Sequence, residues 1–183
     1  MQSINTKNLY DICLSLKERD EKAIKDFFLL MQPQIFYFLY RYTSVKEVAE
    51  DLTQETFVNF LCSVENLNPE KSCVSYLYKI ARNLAMNHLN KKAQITSFNE
   101  EDTILNLSNN IIGEIEASFL LDDYQKAINA LPERCKATFL LSRFSGFDYS
   151  EIAEIMDVSV QTVKNQMNKA LAVLRKRLVK YLE

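Results

Sequence analysis

The segment from Asp148 to Leu178 reads DYSEIAEIMDVSVQTVKNQMNKALAVLRKRL, and the rest of the chain is interpreted from it. Asp148 with Glu151 three residues later is a capping box, which predicts a helix start. Asp157 suits a left-handed turn residue, and Ser159 suits the cap of a second helix. The segment therefore predicts two short helices joined by a tight turn.

Each of these two helices has an apolar face and a polar face. The inward residues recur at helical spacing: Ile152, Ala153 and Ile155 or Met156 in the first helix, then Val163, Met167, Leu171 and Leu174. The outward residues of the second helix have donors and acceptors that suit base edges and phosphates: Gln161, Thr162, Lys164, Asn165, Asn168 and Lys169. The pattern indicates a helix-turn-helix. A helical hairpin with a solvated basic face is the alternative.

The composition favours an all-α fold. The 183 residues include two Gly and three Pro, and no strand-length run alternates convincingly, so few tight turns are expected. No apolar run approaches about 18 residues, so no membrane span is predicted. The N-terminus lacks the order of a secretory signal, and we expect a cytoplasmic protein.

The sequence contains no pattern typical of catalysis or metal binding. Its cysteines, Cys13, Cys62, Cys73 and Cys135, form no C-x-x-C pair, and His88 is the single histidine. A zinc site normally needs closer ligand spacing. There is no Gly-rich phosphate loop or nucleophile elbow. We therefore expect reduced core cysteines, no cofactor, no small-molecule substrate and no enzymatic activity.

The charges are unevenly distributed although the net charge is -2. Residues 71–92 carry five basic residues and no acid, and residues 159–183 carry six basic residues and one acid. Between them, residues 93–124 carry seven acids and no Lys or Arg. This distribution predicts two nucleic-acid surfaces separated by an acidic segment.

The first part of the chain reads as three helices. Residues 7–18 form the first, and residues 20–43 form a longer one, or two helices broken near Pro33. Its predicted core stripe is Phe27, Phe28, Met31, Ile35, Phe38, Leu39 and Tyr42. Ser44 and Glu47 suggest a capping box that opens a third helix. The outward face of that helix, Glu47, Glu50, Asp51, Gln54 and Glu55, is either solvated or docks a basic partner.

A loop from Ser63 to Ser75 precedes a strong helix that begins at Tyr76. One face of this helix carries Tyr76, Lys79, Arg82, Asn83 and Asn87. An aromatic ring beside Lys, Arg and Asn suits single-stranded nucleic acid, and a solvated face with a rim tyrosine is the alternative. We place a flexible linker at 94–115. A second domain begins near 116, with Pro132 as the first residue of a helix and Gly146 as a helix stop.

Five motifs together resemble the extracytoplasmic-function (ECF) sigma factors of bacterial RNA polymerase. They are Ala49-Glu-Asp-Leu-Thr-Gln-Glu-Thr-Phe57, Tyr76-Leu-Tyr-Lys-Ile-Ala-Arg-Asn-Leu-Ala85, Ala130-Leu-Pro-Glu-Arg134, Gly146-Phe-Asp-Tyr-Ser-Glu-Ile-Ala153 and Ser159-Val-Gln-Thr-Val-Lys164. Their order and spacing cover nearly the whole chain. The family usually has Trp at Tyr76, Gly at Asp157 and Arg at Gln166.

The resemblance implies a subunit that directs core RNA polymerase to specific promoters and helps open the −10 region. Residues 1–93 would be its region 2-like domain and residues 116–183 its region 4-like domain. It implies polymerase-binding residues Asp51, Leu52, Gln54, Glu55 and Phe57, and −10 contacts Asn66, Lys71, Ser75, Tyr76, Lys79, Arg82 and Asn83. The −35 contacts would be the six polar residues of the second helix of the helix-turn-helix. The partners implied are core polymerase, promoter DNA and an anti-sigma factor.

Two other functions are compatible with parts of the sequence. A helix-turn-helix regulator that binds duplex DNA without being a polymerase subunit would leave the acidic face around Asp51 unexplained. A helical adaptor that binds only protein would leave the two basic blocks unexplained.

Overall fold

The computed structural model describes residues 6–68, 71–96 and 123–181, with the side chains of 6–10, 66, 92–96 and 180 excepted. Helices α1 to α4 are Thr6–Lys17, Glu21–Thr43, Lys46–Ser63 and Cys73–Thr96. The described part of α5 covers 123–129, and α6 to α8 are Glu133–Arg143, Tyr149–Met156 and Val160–Arg177. Short 3₁₀ helices follow α3 and α8, at Val64–Asn66 and Val179–Tyr181. These ranges contain no strand, and the all-α prediction is confirmed.

Helix α2 is one helix that passes through Pro33, so the predicted alternative of a break is wrong. Most of its predicted stripe is buried, but Phe28 is 41% exposed. Phe28 lies at the surface between α2 and α3, where its ring meets the Phe57 ring edge-on with centroids 4.7 Å apart. Over the described residues, no helix is long and apolar enough to cross a membrane.

The predicted capping box at the start of α3 is wrong. Ser44 instead ends α2, with a left-handed backbone (φ 61°) and a backbone N–H that donates to the Tyr40 carbonyl. The cap of α3 is Val45, whose side chain makes no capping hydrogen bond. Ser44 does not cap α3, and its hydroxyl donates instead to Oδ1 of Asn129, 3.0 Å away and 85 residues along the chain.

Helix α4 begins at Cys73, three residues before the predicted start, and continues to Thr96. The hydroxyl of Ser72 accepts a hydrogen bond from the Ser75 N–H at 3.2 Å, which supports the earlier start. The predicted linker at 94–115 therefore starts inside α4. Its remaining residues, and the predicted domain start near 116, lie outside the described residues.

The predicted helix-turn-helix consists of α7 and α8. Asp148 accepts hydrogen bonds from Ser150 N and Glu151 N at 2.7 and 2.9 Å, and Glu151 accepts one from Asp148 N at 2.8 Å. Asp157 is left-handed (φ 56°), and Ser159 Oγ accepts from Thr162 N at 3.1 Å. These predictions are confirmed. Pro132, predicted to open α6 as its first residue, is its N-cap.

Helices α1–α4 and α5–α8 pack against each other, α2 on α6 and α4 on α7, and we call this the closed arrangement. The Phe147 ring meets the Tyr78 ring edge-on, with centroids 4.8 Å apart. The Arg41 guanidinium lies 3.9 Å from the Phe144 ring centroid. Both aromatic contacts join residues about seventy or more apart in sequence, so the two groups share one buried core.

Candidate nucleic-acid interface

The outer face of α8 presents the polar residues predicted to contact duplex DNA. Gln161, Lys164, Asn165, Asn168 and Lys169 are exposed, while Val163, Met167, Ala170 and Leu174 are buried on the opposite face. Thr162 is half-buried, and its hydroxyl pairs with that of Ser159 at 2.8 Å. The Gln161 amide donates to Asn165 Oδ1 at 3.1 Å, so two amides are held side by side where a major groove would lie.

Gln166 faces inward from α8. It accepts a hydrogen bond of 2.6 Å from the hydroxyl of Thr138 on α6, and Thr138 is fully buried. The amide therefore links α8 to α6. An Arg in place of Gln166 would bring a positive charge next to the buried Thr138 hydroxyl. This explains why the residue at this position is neutral.

The residues predicted to contact single-stranded DNA lie along α4 and the segment before it. Lys71 is exposed, and Tyr76, Lys79, Arg82 and Asn83 are half-buried. The Arg82 guanidinium donates to Asn83 Oδ1 at 2.9 Å. Asn66 lies in a 3₁₀ helix, and its side chain is outside the described part.

Ser75 does not fit the role of a surface contact. It is 6% exposed, and its hydroxyl is buried with no hydrogen-bond partner. The side chain is buried because α4 starts before it, which turns the residue toward the interior of the helix bundle. A direct contact with a base would require movement of this helix turn.

A cleft of about 910 Å³ separates the start of α4 from the helix-turn-helix. Lys71, Ser75, Tyr76 and Lys79 line one side, and Ser159 and Val160 line the other. The closed arrangement thus places the start of the predicted −10 surface opposite α7 and the turn, while the residues predicted to contact the −35 element lie outside the cleft. The volume is that of a small-molecule site, so duplex DNA does not fit between the walls.

The outer face of α3 presents Asp51, Gln54 and Glu55, which are all exposed. Leu52 and Phe57, also predicted to bind polymerase, are 6% and 5% exposed. They are apolar residues on the opposite side of the helix, and they pack in the core. Their side chains hold α3 in place and are not on its surface.

Sequence reasoning missed the apolar part of this face. Val58 is 57% exposed and Leu61 is 37% exposed. They follow Gln54 by four and seven residues, so helical spacing puts all three on the same face. This spacing would have predicted the apolar part of the face from the sequence. We call Asp51, Gln54, Glu55, Val58 and Leu61 the α3 surface. Exposed apolar residues beside acidic ones are typical of protein-binding sites.

Lys136 of α6 lies between the two groups of helices and is 6% exposed. Its ammonium group donates to the Tyr42 carbonyl at 2.6 Å and to Asn129 Oδ1 at 2.8 Å. Burial lowers the pKa of Lys136 to about 8, against the opposing effect of Glu133. Burial likewise raises the pKa of Tyr42 to about 12, with Glu133 adding to the effect.

Comparison with known proteins identifies the family. Family models match residues 27–95 as Sigma-70 region 2 and residues 121–174 as Sigma-70, region 4. The chain is 32% identical to the RNA polymerase sigma factor SigV of Bacillus subtilis over 165 residues, which is 90% of this chain and 96% of the relative. The chain belongs to the ECF sigma factors. It is also 24% identical to the ECF sigma factor SigW of the same organism, over 89% of this chain and 92% of the relative.

Two solved structures share the fold of this ECF sigma factor. One is the sigma factor RpoE in complex with the anti-sigma factor NepR from Bartonella quintana, with TM-score 0.72, 24% identity and coverage of 86% and 97% of the two chains. The other is CnrH in complex with the cytosolic domain of CnrY, with TM-score 0.74, 14% identity and coverage of 94% and 97%.

Membership of the family confirms the function predicted from the motifs. The protein binds core RNA polymerase, directs it to specific promoters and helps to open the −10 region at initiation. The two alternative functions, a free-standing DNA-binding regulator and a protein-only adaptor, are not supported.

Proposed function

We propose that this ECF sigma factor docks on core polymerase through the α3 surface. The observation that carries the proposal is the exposure of Asp51, Gln54 and Glu55 beside Val58 and Leu61 on one helix face. Carboxylates at the edge of an apolar patch attract a basic partner and give the contact its orientation. The buried Leu52 and Phe57 support the surface from behind.

The same proposal assigns the two DNA-contacting ends. Lys71, Tyr76 and Lys79, with Arg82 and Asn83 behind them, hold the opened −10 strand. The outer face of α8 reads the −35 element in a major groove. The first domain then ends with α4 at Thr96, and the second domain contains α5–α8. The subunit acts in the cytoplasm by binding, without catalysis of its own.

The closed arrangement has to open for both DNA elements to be bound together. The −10 and −35 positions lie about 25 base pairs apart, which is about 85 Å at 3.4 Å per base pair. In the closed arrangement the helices that carry the assigned surfaces, α4 and α8, both pack against α7. We therefore propose that the closed arrangement is a resting state from which polymerase separates the two groups of helices.

An anti-sigma factor is a further proposed partner. Both similar structures contain sigma factors or their relatives in complex with another chain, NepR in one and CnrY in the other. A partner that stabilises the closed arrangement would keep the two surfaces from reaching the −10 and −35 elements at the same time. It would act by mass action, because it binds the closed state in preference to the open one.

The docking proposal is tested with Asp51→Ala plus Gln54→Ala in the full chain. We expect core polymerase affinity to fall at least about tenfold, in line with losses of 1–2 kcal/mol for exposed interface residues. Affinity is measured by competition against a labelled sigma factor.

The matched control is Asp11→Ala plus Glu18→Ala, which removes two exposed carboxylates from the α1 side of the same domain. It should leave the affinity within about twofold of the original value, because exposed charges away from an interface contribute little. Equal affinities for the two double variants would overturn the docking assignment.

A further inference from the structure

Two buried thiols meet where α1 touches the start of α4. Cys13 and Cys73 are each 1% exposed. The backbone N–H of Cys73 donates to the Cys13 sulfur at 3.2 Å. The Cys13 thiol also lies 3.8 Å from the Lys71 carbonyl oxygen. Both sulfurs are therefore in contact with the segment assigned to the −10 strand.

The rest of α1 is attached to the same segment. The Lys17 ammonium donates to the Leu67 carbonyl at 3.2 Å, and Arg19 pairs with Glu65 at 2.9 Å on the surface. The thiol pair and Lys17 thus join the first helix to this segment, and Arg19, which follows that helix, joins it to Glu65. A change in the bonding of these sulfurs acts directly on the position of this segment.

We propose that Cys13 and Cys73 form a reversible redox switch, oxidised by hydroperoxides to a disulfide that locks the −10 segment. Cytoplasmic disulfides are generally transient and redox-sensing. The control of transcription rests on the proposed role of this segment in binding the opened strand. Formation of the disulfide does not depend on that role.

The chemistry assigns different roles to the two sulfurs. A hydrogen bond from the Cys73 thiol, opposed by burial and aided by the Cys73 backbone N–H, lowers the pKa of Cys13. The bond to Cys13 and burial raise the pKa of Cys73. Cys13 is accordingly the attacking sulfur, since the thiolate is the nucleophile. Cys73 is the resolving thiol.

The reaction balances with hydrogen peroxide as the oxidant. The Cys13 thiolate attacks one peroxide oxygen, the O–O bond breaks, and the leaving hydroxide takes a proton to become water, which gives a sulfenic acid. The Cys73 sulfur then attacks the Cys13 sulfur, the S–O bond breaks, and the second water leaves with the Cys73 proton. Two thiols and one peroxide become one disulfide and two waters. A dithiol reductant returns both thiols.

The test uses the full chain with Cys62→Ser and Cys135→Ser, which leaves Cys13 and Cys73 as its two thiols. After peroxide treatment we expect an intact mass lower by two hydrogen atoms and a linked peptide pair containing Cys13 and Cys73. The disulfide closes a loop of 60 residues. The midpoint of thermal unfolding should therefore rise by about 5–15 °C. Cys13→Ser in the same background is the control and should gain neither the link nor the shift.

An absence of the linked peptide, with oxygen added to either sulfur or no reaction, would overturn the switch. With the link formed, open-complex formation on a matched promoter should fall at least about fivefold and recover on reduction. Unchanged activity of the linked protein would overturn the regulatory role. A second experiment tests the −10 role of the segment by itself. Residues 66–72 are replaced by those of a related factor, and the −10 preference of the reduced protein is measured. An unchanged preference would contradict the −10 role without bearing on the disulfide.

Discussion

Lys136 carries an ammonium group to a position that is almost fully buried between the two groups of helices. Its hydrogen bonds to the Tyr42 carbonyl and to Asn129 offset part of the desolvation that burial imposes. The Tyr42 ring adds a weaker contact, with its centroid 5.4 Å from the ammonium nitrogen. The residual penalty appears as a lowered pKa of Lys136.

This pKa predicts a pH dependence of stability. Burial places the pKa of Lys136 at about 8 in the folded chain, against 10.5 ordinarily. Between these values the unfolded chain binds more protons, so the contribution of Lys136 to the free energy of unfolding rises with pH. The slope is at most about 1.4 kcal/mol per pH unit. The contribution is flat below about pH 8, where both states hold the proton.

The measurement is urea unfolding from pH 7 to 9.5, compared between the original protein and Lys136→Met. Other groups that titrate in this range cancel in the difference. Lys22→Met, at an exposed position on α2, is the control and should keep the pH dependence of the original protein. A difference between the original protein and Lys136→Met that does not change with pH would contradict a lowered pKa at Lys136.

Lys164 and Asn165 are neighbours on the outer face of α8, and we assign them different contacts. Lys164→Ala should weaken binding to all −35 sequences and reduce the slope of log affinity against log salt by about one, because one phosphate contact is lost. Asn165→Ala should reduce discrimination among bases by about 1–3 kcal/mol at one position. Holoenzyme binding to a set of −35 variants at several salt concentrations measures both. Identical profiles for the two variants would contradict the separation of roles.

Residues next to the helix ends determine where the helices of the helix-turn-helix begin and end. Asp148 and Ser159 cap their helices with their own side chains, and Asp157 adopts the left-handed backbone of the turn. All three positions were predicted. The cap of α3 was predicted wrongly, because the Ser44 hydroxyl forms its hydrogen bond with Asn129 and not with the following helix. Local rules predict a helix start only where no distant partner takes the capping side chain.

The cap of α7 predicts a stability change. Asp148→Ala removes the two hydrogen bonds that the carboxylate accepts from Ser150 N and Glu151 N. We expect the free energy of unfolding to fall by about 1 kcal/mol. Glu154→Ala, at an exposed position on the same helix, should change it by less than about 0.5 kcal/mol. Urea unfolding measures both, and an equal loss would mean that the cap adds nothing.

The closed arrangement is held by polar and aromatic contacts between the two groups of helices, beside the buried core that they share. Phe147 and Tyr78 form an aromatic pair, and Lys136 and Gln125 donate to backbone carbonyls of α2 at 2.6 and 3.2 Å. A subunit that has to span two promoter elements needs such an interface to be reversible.

Phe147→Ala should therefore shift the free protein toward open states. The substitution removes the aromatic pair, which contributes about 0.5–1.5 kcal/mol beyond burial, together with the apolar area of the ring. We expect a larger radius of gyration by small-angle X-ray scattering. Phe28→Ala, at an aromatic position 41% exposed on the other side of α2, is the control and should leave the radius unchanged. An unaltered radius for Phe147→Ala would show that this contact does not hold the groups together.

The sequence by itself determined the helices, the helix-turn-helix and the outer faces of α3 and α8, because these follow from spacing and capping within a few turns. Only the tertiary structure decided which side chains from distant parts of the sequence are in contact. Lys136 meets Tyr42 across 94 residues, and Cys13 meets Lys71 across 58. Ser75, which the resemblance implied as a −10 contact, is buried by this packing. Such contacts depend on how apolar faces pack, and many packings satisfy one hydrophobic pattern. The helix pattern therefore predicted two DNA surfaces, and packing placed the helices that carry them, α4 and α8, against α7.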